Sequence, residues 1–258
     1  MMLRKIDINC DMGESYGAWT LGDDAALMPY VTSASVACGW HAGDPTTMRA
    51  TIRLAKRFGV RIGAHPGYPD LLGFGRRPMQ VSPGEAKDYL LYQIGALSAF
   101  AKAEGLRLQH VKPHGALYNM AAKDPVLSTA VATAVAEVDP DLILVGPPGS
   151  ELVKAGKEAR LTVAREGFAD RAYNEDGSLV SRRAPGALIS DPDTAAEQAL
   201  MMLDGKVRAV SGRIIGVTVD TICLHGDTPG APAIARRLRE RLTEAGVLVA
   251  PLEEILVG

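Results

Sequence analysis

Short apolar runs alternate with longer segments of helical periodicity along most of the chain. The runs predict strands at 5–9, 33–38, 60–65, 108–112, 142–146, 162–166, 221–225 and 247–250. The segments between most of them predict helices at 45–58, 82–104, 124–136, 150–159, 191–203 and 229–245. Because strand–helix alternation produces right-handed crossovers, the strands should be parallel. Seven or eight such units predict one α/β domain, residues 1–258, folded as a closed or nearly closed (β/α) barrel. An open doubly wound sheet is the alternative.

Proline and aspartate mark two helix starts. Asp44 directly precedes Pro45, and Asp227 lies two positions before Pro229. Both aspartates are predicted N-caps, although either could instead orient a nearby imidazole. Two long loops, 66–78 and 167–187, interrupt the alternation, and 207–219 is predicted to form a small hairpin. Long loops in compact domains often cover binding sites.

Composition narrows the function classes. The chain has 258 residues, 47% hydrophobic residues and a formal charge of -2. Near-neutral charge argues against nucleic acid or an anionic membrane as the main partner. The first residues show no apolar leader pattern, and no run is long enough to span a bilayer. Three widely spaced cysteines without a CxxC motif predict a reducing, cytoplasmic setting and buried apolar roles for the thiols.

Polar residues are unusually dense in the first predicted strand and the loop after it. Side chains alternate along a strand, so Asp7 and Asn9 share one face. A carboxylate facing the inside of a barrel requires a charge partner, hydrogen bonds or a metal ion. Asp11 and Glu14 are expected in the loop above. Asx turns and helix capping are the alternative interpretation of this segment.

Four of the five histidines follow the apolar part of a predicted strand: His41, His65, His114 and His225. Because the carboxyl ends of parallel strands face one side of the fold, these side chains and Glu166 should converge on one mouth. Any one histidine alone is more often structural. His110 shares a strand face with Lys112 and is interpreted as structural.

Lys112 stands at a strand end, where its ammonium could bind a carboxylate or phosphate. The alternative is that its side chain extends to bulk water. The arginine pairs 76–77 and 182–183 lie in the two long loops. No phosphate-binding loop, HExxH or GxSxG motif is present. Histidine and carboxylate together suit zinc or manganese, but the sequence does not separate a metal site from a metal-free acid–base site.

Several segments, in this order, resemble the LamB/YcsF family, the A subunits of prokaryotic ATP-dependent 5-oxoprolinase. They are DINCDMGESYG, ASVACGWHAGDP, GAHPGYPDLLGFGRR, VKPHGALYN, REGFADRAYNEDGSLVSRR and CLHGDTPGAP. The resemblance implies an irregular seven-stranded β/α barrel similar to glycoside hydrolases and polysaccharide deacetylases. It also implies cleavage of 5-oxo-L-proline to L-glutamate with ATP, accompanied by Mg²⁺, as co-substrate. The B and C subunits of the enzyme would be the partners of this chain. The chain could also form a homo-oligomer.

On this hypothesis a general base acts on the lactam and cations neutralise the substrate carboxylate or a phosphoryl group. The predicted catalytic residues are Asp7, Asn9, Asp11, His41, His65, Lys112 and His114. The predicted substrate-binding residues are Glu14, Glu166, Asp170, Arg171, Arg183 and His225. Replacing Asp7 by Asn, or His114 by Ala, is expected to abolish turnover with little change in melting temperature.

Two other functions are compatible with the residues. A metal-dependent deacetylase or amidohydrolase would need a bound metal and no ATP. A non-catalytic binding subunit would tolerate replacement of every strand-end histidine.

Overall fold

Parallel strands close into a barrel in the computed structural model, which describes residues 4–228 and 230–257. The strands are β1 (Lys5–Met12), β2 (Ser33–Ala37), β3 (Arg61–His65), β4 (Leu108–Val111), β5 (Ile143–Gly146), β6 (Val163–Phe168), β7 (Lys206–Arg208), β8 (Ile214–Gly216), β9 (Thr221–His225) and β10 (Leu248–Val249). Strands β1 to β6 pair in chain order, β6 pairs with β9, and β9 pairs with β1. This last pairing makes a seven-stranded ring, so the barrel prediction is confirmed and the open sheet is wrong.

Helices pack around the outside of the ring. They are α1 (Asp24–Leu27), α2 (Pro45–Phe58), α3 (Pro83–Ala103), α4 (Gly115–Ala121), α5 (Pro125–Val138), α6 (Glu151–Glu158), α7 (Pro192–Leu203), α8 (Ala231–Glu244) and α9 (Leu252–Leu256), with a 3₁₀ turn at Met28–Tyr30. The apolar faces of the long helices cover the strands, and the buried core consists mainly of aliphatic side chains. Among the described residues, no helix is both long enough and apolar enough to cross a bilayer.

The long helices lie close to their predicted bounds, but one predicted cap is wrong. Asp44 caps α2 by accepting hydrogen bonds from the backbone N–H groups of residues 46 and 47. Asp227 does not cap α8, which begins at Ala231 with Gly230 as its N-cap. Pro229, the predicted first helical residue, lies outside the described residues. The predicted hairpin is confirmed as the antiparallel pair β7–β8, whereas α1, α4 and α9 were not predicted.

Strand β1 is longer than predicted and carries polar side chains along its interior face. It continues to Met12, so Asp11 lies in the strand and not in a loop. The β1–β9 register pairs Asp7 with Thr221, Asn9 with Cys223 and Asp11 with His225. The barrel interior is therefore polar, and it must be satisfied by hydrogen bonds and ion pairs.

His110 fills the interior at the level of β3, where Gly63 leaves room for its ring. A Cβ atom on Gly63 would overlap the imidazole. The ring nitrogens of His110 contact Ser35 and Gln109, at 3.1 and 3.2 Å. Burial lowers the pKa of His110 to about 3, so the ring is neutral. These contacts agree with a structural His110.

Candidate active site

The lowest interior layer is centred on Asp7. Its carboxylate accepts hydrogen bonds from Thr32 and Ser33 at 2.7 and 2.6 Å, and from Thr221 at 2.5 Å. Burial raises the pKa of Asp7 from 3.8 to about 6 despite these bonds. Because Asp7 is fully buried and bonded on both oxygens, its replacement should also affect stability, contrary to the expectation from sequence.

We expect the free energy of unfolding to decrease as the pH rises from about 4 to about 7, and we assign this decrease to Asp7. Its folded-state pKa exceeds the unfolded value, so the folded state holds the proton more tightly. Stability is therefore lost as the pH rises through the folded pKa, by up to about 3 kcal/mol. Urea denaturation of wild type and Asp7→Asn across this range measures the difference. Identical pH profiles for the two proteins would contradict this assignment.

Lys112 occupies the centre of the barrel and is only 2% exposed, so it does not reach bulk water. Its ammonium lies 2.5 Å from Asp11 Oδ1, 2.9 Å from Asn9 Oδ1 and 3.0 Å from Glu166 Oε1. Burial opposes the charge, but Asp11, Cys223 and Glu166 together raise the pKa of Lys112 well above its usual value. Lys112 is therefore a fixed cation and not a general base.

Two further side chains complete this central ion cluster. Tyr118, on α4, donates a 2.7 Å hydrogen bond to Glu166 Oε2. Cys223 Sγ lies 3.3 Å from Lys112 Nζ. All three cysteines are buried and free, but a purely apolar role is wrong for Cys223. Tyr118 was missed because a tyrosine on a short helix carries no distinctive pattern in the sequence.

His41, His65 and His114 form a compact cluster above Lys112. The rings of His41 and His114 stack with centroids 3.8 Å apart and planes within 2°. The ring of His65 stands nearly perpendicular to both. Burial lowers the pKa of His41 and that of His114 well below the usual value, so both rings are neutral. The left-handed Gly115 allows the close chain approach here, since a Cβ atom would lie 2.6 Å from the carbonyl of Gly75.

The carboxylates beside this cluster differ in protonation. Burial opposes ionisation of Asp11, but His65 and Lys112 lower its pKa well below the usual value. Glu14 lacks such partners, and burial together with Asp11 raises its pKa well above the usual value. The buried Glu14 therefore holds a proton more tightly than Asp11 does.

His225 forms a separate pair with Asp170 on the other side of the mouth. Its Nδ1 lies 2.9 Å from both carboxylate oxygens of Asp170. Asp170 also accepts bonds from the backbone N–H of His225 and the hydroxyl of Thr228, at 3.0 and 3.1 Å. Burial opposes its charge, but His225 holds the pKa of Asp170 below its usual value. The carboxylate thus fixes the ring with Nε2 as the free nitrogen.

Arginines surround the mouth. Asp227 pairs with Arg76 at 2.6 Å and with Arg182 at 3.5 Å, which explains why it does not cap α8. Arg171 donates to the carbonyl of Val180 at 2.7 Å, while its buried Nε has no hydrogen-bond partner among the described residues. Burial and the nearby Arg182 lower the pKa of Arg171 to about 10, so it remains charged at neutral pH.

A cavity of about 880 Å³ opens between these groups. The predicted site residues that line it are Asp11, His65, Lys112, His114, Glu166, Arg171, Arg183 and His225. The remaining ones, Asp7, Asn9, Glu14, His41 and Asp170, lie below or behind this lining. The structure thus brings the four strand-end histidines to one end of the barrel, and it places Asp7 at the opposite, closed end.

The LamB/YcsF family model matches residues 6–257. The chain belongs to the LamB/YcsF family. This LamB/YcsF protein is 55% identical over 253 residues to the A subunit of 5-oxoprolinase from Pyrococcus furiosus, covering 98% of this chain and 99% of the relative.

Solved structures support the same fold for this LamB/YcsF protein. The lactam utilization protein of Thermus thermophilus is 51% identical, with a TM-score of 0.90 and coverage of 95% of this chain and 99% of that one. A family 4 carbohydrate esterase of Streptomyces lividans, solved with acetate, is 13% identical, with a TM-score of 0.51, covering 95% of this chain and 91% of that one. The esterase likeness concerns the barrel alone.

Proposed function

We propose that this chain is the A subunit of an ATP-dependent 5-oxoprolinase, which opens 5-oxo-L-proline to L-glutamate at the mouth of the barrel. The observation that carries the proposal is the charge of the cavity wall. Its basic residues are Arg76, Lys112, Lys123, Arg171, Arg182 and Arg183, against two acidic ones, Asp11 and Glu166. Such a wall favours a small anionic substrate.

The free Nε of Arg171 is the best-defined anchor for that anion. It is buried at the cavity wall and has no hydrogen-bond partner among the described residues. A buried donor without a partner is costly, so a substrate carboxylate or phosphoryl oxygen bound there would relieve the cost. Arg182 lies near enough to lower the pKa of Arg171 and would add a second positive charge.

A lactam is a resonance-stabilised amide and therefore a poor electrophile. Phosphorylation of its oxygen by ATP makes the ring carbon more electrophilic towards water. After water adds, the bond from this carbon to the ring nitrogen breaks and the nitrogen takes a proton. The acyl phosphate that results is then hydrolysed by a second water to glutamate and phosphate. His225, whose Nε2 is left free by the bond from Nδ1 to Asp170, is placed to take a proton from the attacking water. Lys112 keeps a permanent positive charge beneath the reacting carbon.

Glutamate release from 5-oxoproline by the chain, with and without ATP and with and without the B and C subunits, tests this proposal. We expect glutamate only when ATP and both partners are present. Glutamate formed without ATP would favour a metal-dependent amidohydrolase. No glutamate from folded subunits that co-purify would overturn the proposal.

Arg171→Gln tests whether the barrel mouth binds the substrate. Loss of a charge-assisted contact should raise KM by about tenfold or more. Arg57→Gln, at the exposed end of α2, is the matched control and should leave KM unchanged. Equal KM values for the two variants would show that the anion binds elsewhere.

A further inference from the structure

Two imidazole nitrogens in the histidine cluster face each other at close range. His65 Nε2 and His114 Nδ1 are 2.9 Å apart. The other nitrogen of each ring contacts a backbone carbonyl: His65 Nδ1 at 2.7 Å from the carbonyl of Lys112, and His114 Nε2 at 2.8 Å from that of Phe74. Since a carbonyl only accepts, both outer nitrogens carry the N–H. In neutral rings, both inner nitrogens therefore present lone pairs to each other.

Facing lone pairs repel, so this arrangement requires a positive charge, either an extra proton or a metal ion. The carbonyl bonds on the outer nitrogens favour the metal. Histidines that bind a metal donate their second N–H to a carbonyl or carboxylate, which fixes the tautomer and the ring orientation. The carbonyls of Lys112 and Phe74 already hold the rings of His65 and His114 in this tautomer.

The carboxylates around the pair complete a set of metal ligands. Asp11 Oδ2 is 3.3 Å from His65 Nε2, and Glu14 Oε1 is 4.0 Å from His114 Nδ1. Glu14 is only 7% exposed. Asp11 and Glu166 share one ammonium, that of Lys112, so one negative charge remains in this cluster before Glu14 is counted. A divalent cation bound beside Glu14 would balance that charge together with the charge of the ionised Glu14.

His41 independently indicates that a polar ligand belongs beside this pair. It is fully buried, and neither ring nitrogen has a hydrogen-bond partner among the described residues. One potential ligand atom from each of Glu14, His41, His65 and His114 lies within 4.8 Å of all the others. Two buried nitrogens without partners are costly unless a ligand, or a water held by that ligand, satisfies them.

Ring orientation decides which histidines can bind one ion together. An imidazole lone pair lies in the ring plane, so an ion must lie in the planes of all rings that bind it. The perpendicular planes of His65 and His114 intersect, with an interplanar angle of 86°. The parallel planes of His41 and His114 do not intersect. The planes of His41 and His65 also intersect, at 87°, but it is His114 Nδ1 that faces His65 Nε2, at 2.9 Å. His65 and His114 are therefore the nitrogen ligands, and His41 stands beside them.

A second group, Asp11, Cys223 and His225, has comparable spacing, but Lys112 already supplies its cation. The ammonium lies 2.5 Å from Asp11 Oδ1 and 3.3 Å from Cys223 Sγ. A metal ion there would face an immediate positive charge. This group is therefore not a second site.

We propose that His65 Nε2, His114 Nδ1 and the Glu14 carboxylate bind one divalent transition-metal ion, with zinc as the best match to two imidazoles and one carboxylate. Three protein ligands leave a coordination position open towards the cavity, as in catalytic rather than structural zinc sites. The proposal does not rest on the identity of the lactam.

Zinc binding to the isolated chain, after removal of metal with a chelator, tests the site. Calorimetric titration and elemental analysis should give about one zinc ion per chain, as expected for a single site. Glu14→Gln and His114→Ala should each weaken zinc binding by more than about a hundredfold. Loss of a group that only orients a ligand weakens metal binding by up to about a hundredfold, and loss of the ligand itself should weaken it more. Circular dichroism confirms folding, and the near-isosteric Glu14→Gln keeps the test valid should His114→Ala unfold.

His225→Gln is the matched control, a buried histidine at the same mouth outside the ligand set, and it should bind zinc as wild type does. In the cobalt-substituted protein, a thiolate-to-cobalt charge-transfer band should be absent because Cys223 is not a ligand. Zinc binding lost in His225→Gln but kept in Glu14→Gln would place the ion in the other group and overturn the proposal. Folded wild type that binds no zinc would also overturn it. Neither measurement uses glutamate release, so this result is independent of the proposed reaction.

Discussion

Lys112→Met should destabilise the protein by about 3–5 kcal/mol, the usual cost of removing one partner from a buried ion pair. The ammonium of Lys112 is the shared partner of Asp11 and Glu166, at 2.5 and 3.0 Å. Methionine fills a similar volume but leaves both carboxylates buried without a cation. If the proposed function holds, turnover in the assembled complex should also be abolished, because the fixed charge of Lys112 at the cavity wall is lost. Urea denaturation and the glutamate assay measure the two effects.

Two companion variants show whether the loss of stability comes from the buried ion cluster or from the loss of any lysine. Lys87 forms an ion pair with Glu137 at 2.6 Å on the surface of the protein, and Lys87→Met should cost less than about 1 kcal/mol. The double variant Lys112→Met/Glu166→Gln should cost less than the sum of the single variants, by about 0.5–3 kcal/mol, because it leaves one fewer unpaired charge. Lys112→Met with wild-type stability would refute the assigned role.

The ring of strands and the meeting of the histidines could be predicted because both follow from local patterns. Strand–helix alternation sets the direction of the strands, and the position of a residue at a strand end sets the side of the barrel it faces. The bounds of β9 (Thr221–His225) and α2 (Pro45–Phe58) match the prediction. His41, His65, His114 and His225 meet for the same topological reason.

Long-range pairing was not predictable, and it accounts for the main errors. Asp227 has the local features of a helix cap, but it pairs with Arg76, which is 151 residues away in the chain. Asp11 was assigned to a loop because a polar residue after a strand usually marks its end. In this barrel Lys112 stabilises that polar residue, so β1 continues. A single sequence contains no sign of either contact.

The protonation states of the site were also out of reach, because they depend on burial. Lys112 and Arg171 are both cations at the mouth, yet the pKa of Lys112 is raised and that of Arg171 is lowered. The difference arises because Lys112 lies among carboxylates, whereas Arg171 lies beside another arginine. The order of the residues in the chain does not give these neighbours.

Asp170→Asn should lower kcat/KM by about 10²–10⁴-fold, the usual contribution of a general base. The asparagine oxygen can still accept the bonds from the His225 backbone and Thr228, at 3.0 and 3.1 Å in wild type. Its amide group would then face His225 Nδ1 in place of a carboxylate oxygen. The asparagine oxygen remains 2.9 Å from Nδ1 but already accepts two bonds, so donation from the amide favours Nδ1 as an acceptor with the ring proton on Nε2. A protonated Nε2 cannot take a proton from water.

Nitrogen chemical shifts of His225 distinguish this tautomer change from a structural defect. Wild type should show the proton on Nδ1, and Asp170→Asn should show it on Nε2, with a change in stability of about 1 kcal/mol. Asp191→Asn is the matched control: Asp191 caps α7 by accepting from the backbone of Thr194, and asparagine caps equally well. That variant should keep both activity and stability. Full activity in Asp170→Asn would show that His225 is not the base.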